Sequence, residues 1–342
     1  MLDIALKIVY NVGVMFIMMI PGIILKKCKF VTDGFGKGLS NLVLYIAQPA
    51  LIFLSYVRAF DKRVLVNILY VLIFSVVAHV LFSLVAMRLF SKTPEGRKRM
   101  LRFATVFSNA AFMGIPLISK VLGDEATIYA SVYNITFNLF LWSFGVYLCT
   151  EGRESEGVGT VSLKSSLMRA IIHPVTLSAA AGLLFFFLPI HSYIPALATE
   201  SLSMLKNLVV PLSMIVIGLR LPEIDFKGIF RDKPMYLFLA IRHIALPVLL
   251  FGVMKLLCVI GLGIDRDVIS VILIMASAPA ASSATMFAER YDCDAGYVSK
   301  LVAVSTLLSI VTMPLVIMLA FFVMLCLHFF KKESRFDKKS LS

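Results

Sequence analysis

Long apolar runs alternate along this chain with short charged breaks. Runs bounded by charge lie at about 5–25, 39–57, 64–90, 101–121, 126–149, 168–189, 196–219, 234–258, 267–288 and 295–328. A helix needs about 20 apolar residues to cross the hydrocarbon core of a bilayer, so the pattern predicts ten transmembrane helices. The last is long enough to tilt or to project beyond the bilayer. A transmembrane barrel would show short stretches of alternating polarity, whereas these runs are continuous. The expected class is an all-α integral membrane protein.

The polar stretch 151–167 divides the chain into a first five-helix unit (1–150) and a second (168–342), with a cytoplasmic linker between them. An odd number of helices per unit means that the two units insert in opposite senses. Landmarks recur in shared order: Pro21 and Pro189 near the ends of the first and sixth segments, Pro49 and Pro211 inside the second and seventh, His79 and His243 inside the third and eighth. Acidic residues precede the fifth segment (Asp124, Glu125) and the tenth (Asp292, Asp294). The expectation is a 5+5 inverted repeat, a common build of secondary transporters, whose substrate site lies at the midplane between the repeats.

Composition agrees with the pattern. Of 342 residues 60% are apolar and 15% charged, with a mean hydropathy of +0.93; soluble domains carry about 25% charged residues. A water-soluble enzyme and a disordered chain are both excluded. The net charge of +13 would suggest a nucleic acid partner in a soluble protein, but in a membrane protein Lys and Arg collect in cytoplasmic loops. Eighteen of the 33 basic residues fall in the odd-numbered loops and eight on the opposite side, once the five in the tail from Lys331 to Lys339 are set aside. This places the odd-numbered loops in the cytoplasm and both termini outside. The partner implied is the bilayer, with no nucleic acid. Five scattered cysteines (Cys28, Cys149, Cys258, Cys293, Cys326) fit neither a disulfide framework nor a zinc site, so no metal and no cofactor are expected. The first apolar run ends in Ile24-Leu25-Lys26-Lys27 rather than in a small-residue cleavage site and reads as a retained helix.

Candidate chemistry lies where polar residues interrupt the spans. In the fourth segment, Phe107-Ser108-Asn109-Ala110-Ala111-Phe112-Met113-Gly114-Ile115-Pro116, the proline removes a backbone hydrogen bond and crowds the Phe112 carbonyl, while Gly114 supplies freedom in the same turn. A helix broken at membrane depth leaves N–H and C=O groups that protein or water must satisfy. Such a break is a candidate binding site. The ninth segment repeats the device around Pro279, Ser282, Ser283 and Thr285, and its small residues would let the two broken helices cross. Asn134 and Asn138 share one face of the fifth segment, and each is placed to bind either substrate or the broken backbone of the fourth segment, with packing the role of at least one. Arg242 lies deep in the eighth segment, where an ionisable residue is costly; it either attracts an anion or hydrogen-bonds broken-helix carbonyls. His79 and His243 fit packing roles better than proton relay, and Lys300 is less constrained than Arg242. All 20 Asp and Glu sit in loops or at helix ends, which disfavours cation coupling through a buried carboxylate.

The strings NLVLYIAQPALIF, NAAFMGIPL and APAASSATMFAERYDCDA, with Arg242, Pro247, Asn138 and Trp142, resemble the auxin efflux carrier family, which includes plant PIN proteins and many bacterial permeases. The resemblance implies a fold similar to bile-acid symporters and sodium/proton antiporters. In that fold a scaffold domain of segments 1, 2, 6 and 7 holds a transport domain of segments 3–5 and 8–10, and the crossed, broken helices 4 and 9 bind substrate. Asn109 falls on the family's crossover asparagine, and Pro116 and Pro279 on its crossover prolines. The short central loop is similar to bacterial permeases, and Arg58-Ala59-Phe60-Asp61-Lys62-Arg63 lacks the plant Asp/Lys pair. The function expected is secondary active or facilitative transport of a small carboxylate by alternating access in a plasma membrane, a bacterial inner membrane on this reading, with Asn109, Met113, Gly114, Pro116, Asn134, Asn138, Arg242, Pro279, Ser282 and Ser283 at the site. A channel or non-transporting sensor of the same fold is the alternative, and a cation-coupled symporter of the bile-acid type is less favoured. The reading admits a homodimer through the scaffold. A membrane enzyme would need a nucleophile or metal constellation within the spans, and none is visible.

Overall fold

The computed structural model describes residues 2–32, 34–151, 163–188, 193–223 and 231–340. Pro189 and most of the 151–167 linker lie outside these residues. Seven helices are long and apolar enough to cross a membrane: α1 (Val9–Lys27), α2 (Phe35–Tyr56), α3 (Lys62–Met87), α6 (Asp124–Thr150), α9 (Ala196–Arg220), α10 (Lys233–Val259) and the first part, Ala295–Ala320, of α13 (Ala295–Ser340). Three expected spans are interrupted instead. Segment 101–121 becomes α4 (Glu95–Val106) and α5 (Ala110–Leu122); segment 168–189 becomes α7 (Leu163–Ile171) and α8 (Pro174–Phe187); segment 267–288 becomes α11 (Arg266–Ser277) and α12 (Ser283–Arg290). The α7–α8 break has a local cause. His173 precedes Pro174 and is extended, because the proline ring disfavours a helical conformation one residue before it.

The apolar exterior confirms the medium. On α3, Leu69, Ile73, Val76, Val80 and Leu84 form one exposed stripe at helical spacing, and α10 presents Leu237, Ile244, Val248 and Leu249 in the same way. Such continuous exposed apolar surface has no place in water and faces lipid. The protein is a multi-pass integral membrane protein.

Two sets of contacts recur. Helix α2 packs against α8 and the first half of α9, while the Ile20–Lys27 half of α1 packs against Val209–Arg220 of α9. At that second crossing a Cβ on Gly218 would stand 2.1 Å from the Met19 carbonyl oxygen, and one on Gly22 would stand 2.4 Å from that of Ile215. Only glycines permit backbones this close. The other set joins α3 with α4 and α6, α11 with α3, α6 and α13, and α12 with α4 and α13.

Ion pairs sort onto two opposite ends of the bundle. Arg58–Glu125, Arg63–Asp265 and the pair of Lys206 in α9 with Asp124 lie by even-numbered loops, whereas Arg97 and Arg102 of α4 pair with Asp294 and Glu151 of odd-numbered ones. Arg102 also donates to the Met87 and Leu89 carbonyls and so closes the C-terminus of α3.

Candidate functional site

The breaks at α4–α5 and α11–α12 cross each other. The extended residues 107–109 and 279–281 pair antiparallel around Ser108 and Ala280: the Asn109 N–H donates to the Pro279 carbonyl at 2.7 Å, and the Ala281 N–H to the Phe107 carbonyl at 3.0 Å. Each broken strand thereby satisfies the other's backbone, as burial at membrane depth requires.

The crossing is not where Pro116 would put it. Pro116 sits in the second turn of α5, about two turns after the break, and the helix continues through it. The residues before it, Ala110–Gly114, form a wide π-helical turn, and Phe112, whose carbonyl the ring would strike, is at its centre. The same device recurs at Val43–Ala47 before Pro49 and Ile241–Ala245 before Pro247. Proline here widens a helix rather than breaking it. Gly114 likewise serves packing, since a Cβ would meet the Met275 sulfur of α11 at 2.5 Å. Pro279, by contrast, lies in the break itself and lends its carbonyl to Asn109.

Arg242 has no exposed surface, and its guanidinium bridges the two half-helix C-termini. Its Nη1 donates to the Thr105 carbonyl in the last turn of α4 (3.3 Å), and its Nη2 to the Ala278 carbonyl just past α11 (2.9 Å). The last carbonyls of a helix lack intrahelical partners and carry the negative end of its dipole. A cation between two such ends needs no carboxylate. Arg242 and His243 both lie buried in the widened turn at Ile241–Ala245.

His243 extends the brace. Its Nε2 meets the Ser305 hydroxyl at 2.8 Å and its Nδ1 the Thr312 hydroxyl at 2.9 Å, while Ser305 Oγ also accepts the Ala280 N–H at 2.9 Å. A neutral imidazole completes this network, with Ser305 donating to Nε2 and Nδ1–H donating to Thr312, whose own hydroxyl reaches the Leu308 carbonyl. His79 stands apart among Phe107, Tyr133, Phe137 and Phe140, with its Nδ1 on the Ser75 carbonyl.

Unspent hydrogen-bonding capacity collects at the first turn of α5. Asn109 occupies its N-cap position, buried, and its side-chain Nδ2 has no partner among the described residues. Gln48 of α2, fully buried, donates its amide to the Ala111 carbonyl, yet its own Oε1 is unpartnered. The sequence reading missed Gln48 as a site residue, although a lone amide beside Pro49 in an apolar run was the signal. It also placed Arg220 only in a loop, whereas its Nη1 reaches the Ser282 carbonyl at 3.0 Å, ahead of α12.

Asn134 and Asn138 pair with each other: Asn138 Nδ2 donates to the Asn134 side-chain and backbone oxygens at 2.7 and 2.9 Å. Among the described residues neither has a hydrogen bond to the crossing, and the buried Asn134 Nδ2 has no partner. Ser283 opens α12, half-buried, and Met113 is buried with its sulfur near the Ser309 hydroxyl. A cavity of about 590 Å³ opens between α1, α2, α9 and the C-terminal end of α5, lined by Asn11, Ser119, Lys120, Lys206 and Asn207. Among the described residues, no three His, Cys, Asp or Glu are grouped to hold a metal ion.

Residues 8–317 match the family described as membrane transport protein. An uncharacterized transporter of Methanothermobacter thermautotrophicus is 26% identical over 301 residues, covering 87% of this chain and 94% of the relative. One of Methanocaldococcus jannaschii is 24% identical over 314 residues, covering 88% and 95%.

Proposed function

The chain belongs to the membrane transport protein family, that of the auxin efflux carriers, and from that premise we propose that it carries a small organic anion, a mono- or dicarboxylate, by alternating access. The observation that carries the reading is the buried Asn109 amide, a donor without an acceptor among the described residues, at the N-terminus of a half-helix. An unsatisfied buried donor is costly, and the start of a helix favours negative charge. A carboxylate placed there accepts from the amide and from the first free N–H groups of α5, as half-helix termini do in other carriers.

The proposal includes the architecture. Ten spans form two inverted units, residues 1–150 and 168–342, with the α4–α5 and α11–α12 breaks as counterparts. The α1, α2, α8 and α9 group acts as scaffold, and the rest moves against it. The odd-numbered loops face the cytoplasm of a plasma membrane. Arg242 and His243 hold the crossing and leave recognition to Asn109 and the α5 terminus.

A thermal-shift screen of small carboxylates on the purified protein tests the substrate class. A ligand at 100 times its dissociation constant stabilises by about 2.7 kcal/mol. A shift with at least one carboxylate and none with its neutral amide is expected; no shift across mono- and dicarboxylates sinks the reading.

A further inference from the structure

A second cationic cavity, of about 450 Å³, lies at the opposite end of the bundle, lined by Lys92, Arg97, Arg231, Asp232, Lys233 and Tyr297 among others. It is walled by α4, α10 and the first turn of α13, away from the crossing and from the α1–α2–α9 cavity. Among the described residues, four cations line it against one carboxylate. Asp232 is already engaged, accepting the Met235 N–H at the start of α10. Arg97 is held in place by Asp294 at 2.9 Å and by the Tyr297 ring, whose centroid is 4.8 Å from the guanidinium carbon. Counting Asp294 too, the described residues give the pocket a net charge of +2. A fixed arginine with flexible lysines beside it suits a phosphate, which takes several donors at once.

What adjoins the pocket points to the source of that phosphate. Directly below Lys233 on α10, Tyr236 and Leu237 are exposed, and the apolar face continues through Ile244 and Val248. The cavity thus sits at the water–hydrocarbon boundary, where an exposed tyrosine is at home. The exposed apolar face of α10 beneath it gives an acyl chain a surface to lie against. Basic pockets between transmembrane helices at such a boundary bind anionic headgroups.

We propose that this cavity binds a phosphate ester anion, supplied by the headgroup of an anionic phospholipid. The lipid thereby ties α4, α10 and α13 together at one end of the bundle.

The test is calorimetric titration of the detergent-purified full chain with short-chain phosphatidylglycerol, phosphatidylcholine and inorganic phosphate. Phosphatidylglycerol should bind saturably and phosphatidylcholine should not. Two cations at a lipid surface are together worth roughly thirtyfold in affinity, so Arg231→Gln/Lys233→Gln should weaken phosphatidylglycerol by about that factor. Lys27→Gln/Lys37→Gln, which removes two exposed lysines from the facing ends of α1 and α2, should leave it unchanged. Inorganic phosphate binding as tightly as the lipid, with the same loss in the first variant, would move the source to a soluble phosphate and overturn the lipid assignment. Equal losses in both double variants, or binding of phosphatidylcholine equal to that of phosphatidylglycerol, would overturn the site itself.

Discussion

Arg242 has no exposed surface, and two backbone carbonyls accept from its Nη atoms. Removing it leaves the Thr105 and Ala278 oxygens without donors, at about 1–3 kcal/mol each. Arg242→Ala is therefore expected to lower the melting temperature and to reduce uptake of an anion and of a neutral analogue alike. A loss confined to the anion would make Arg242 a substrate contact instead. Asn109→Ala should behave oppositely. Its amide nitrogen has no partner to lose, so deletion costs little stability, while uptake into proteoliposomes falls close to background. Unchanged uptake would remove Asn109 from the site. Both residues were legible in the sequence as polar groups within apolar spans. The choice between anion attraction and carbonyl bracing at Arg242 was not, because it depends on where two remote chain segments end.

Among the helices, the α4–α5 break was legible in kind but not in place. Prolines mark it in sequence, yet the backbone at Phe107–Asn109 is opened by pairing with Pro279 and Ala281, a long-range cause that no local residue signals. Pro116, Pro49 and Pro247 instead follow π-helical turns, whose extra residue relieves the clash of each ring with the carbonyl four positions earlier. The close crossing of α1 and α9 was equally hidden, since Gly22 and Gly218 read as ordinary span glycines. Gly218→Ala would drive a Cβ against the Met19 backbone, which cannot rotate away. Overpacking of this kind costs about 1–3 kcal/mol, seen as a lower melting temperature in detergent. An unaltered melting temperature would mean that the helices separate more easily than their contact implies.

For the whole molecule, hydrophobic pattern and charge distribution gave the membrane class and seven of the ten expected spans. They could not give the pairing of loops at each end of the bundle, which ion pairs reveal. One of these makes a pH-dependent contribution. Burial opposes ionisation of Asp265, but hydrogen bonds from Arg63 and Asn67 outweigh it and hold its pKa below the ordinary 3.8. A pKa lower in the folded state contributes stability that is complete above the unfolded value and fades as pH falls through the folded one. The melting-temperature gap between the native protein and Asp265→Asn should therefore be constant from pH 8 to about pH 5 and shrink on further acidification. A gap that widens toward low pH would contradict this pairing.

Movement of one helix group against the other is the central claim, and a channel of the same fold would not need it. The most direct measurement is uptake of a labelled small carboxylate into proteoliposomes, with and without the unlabelled compound loaded inside. An alternating-access carrier returns faster when loaded, so internal substrate should accelerate uptake, and Asn109→Ala should abolish the acceleration. Uptake that saturates poorly and is indifferent to internal substrate would contradict the carrier account.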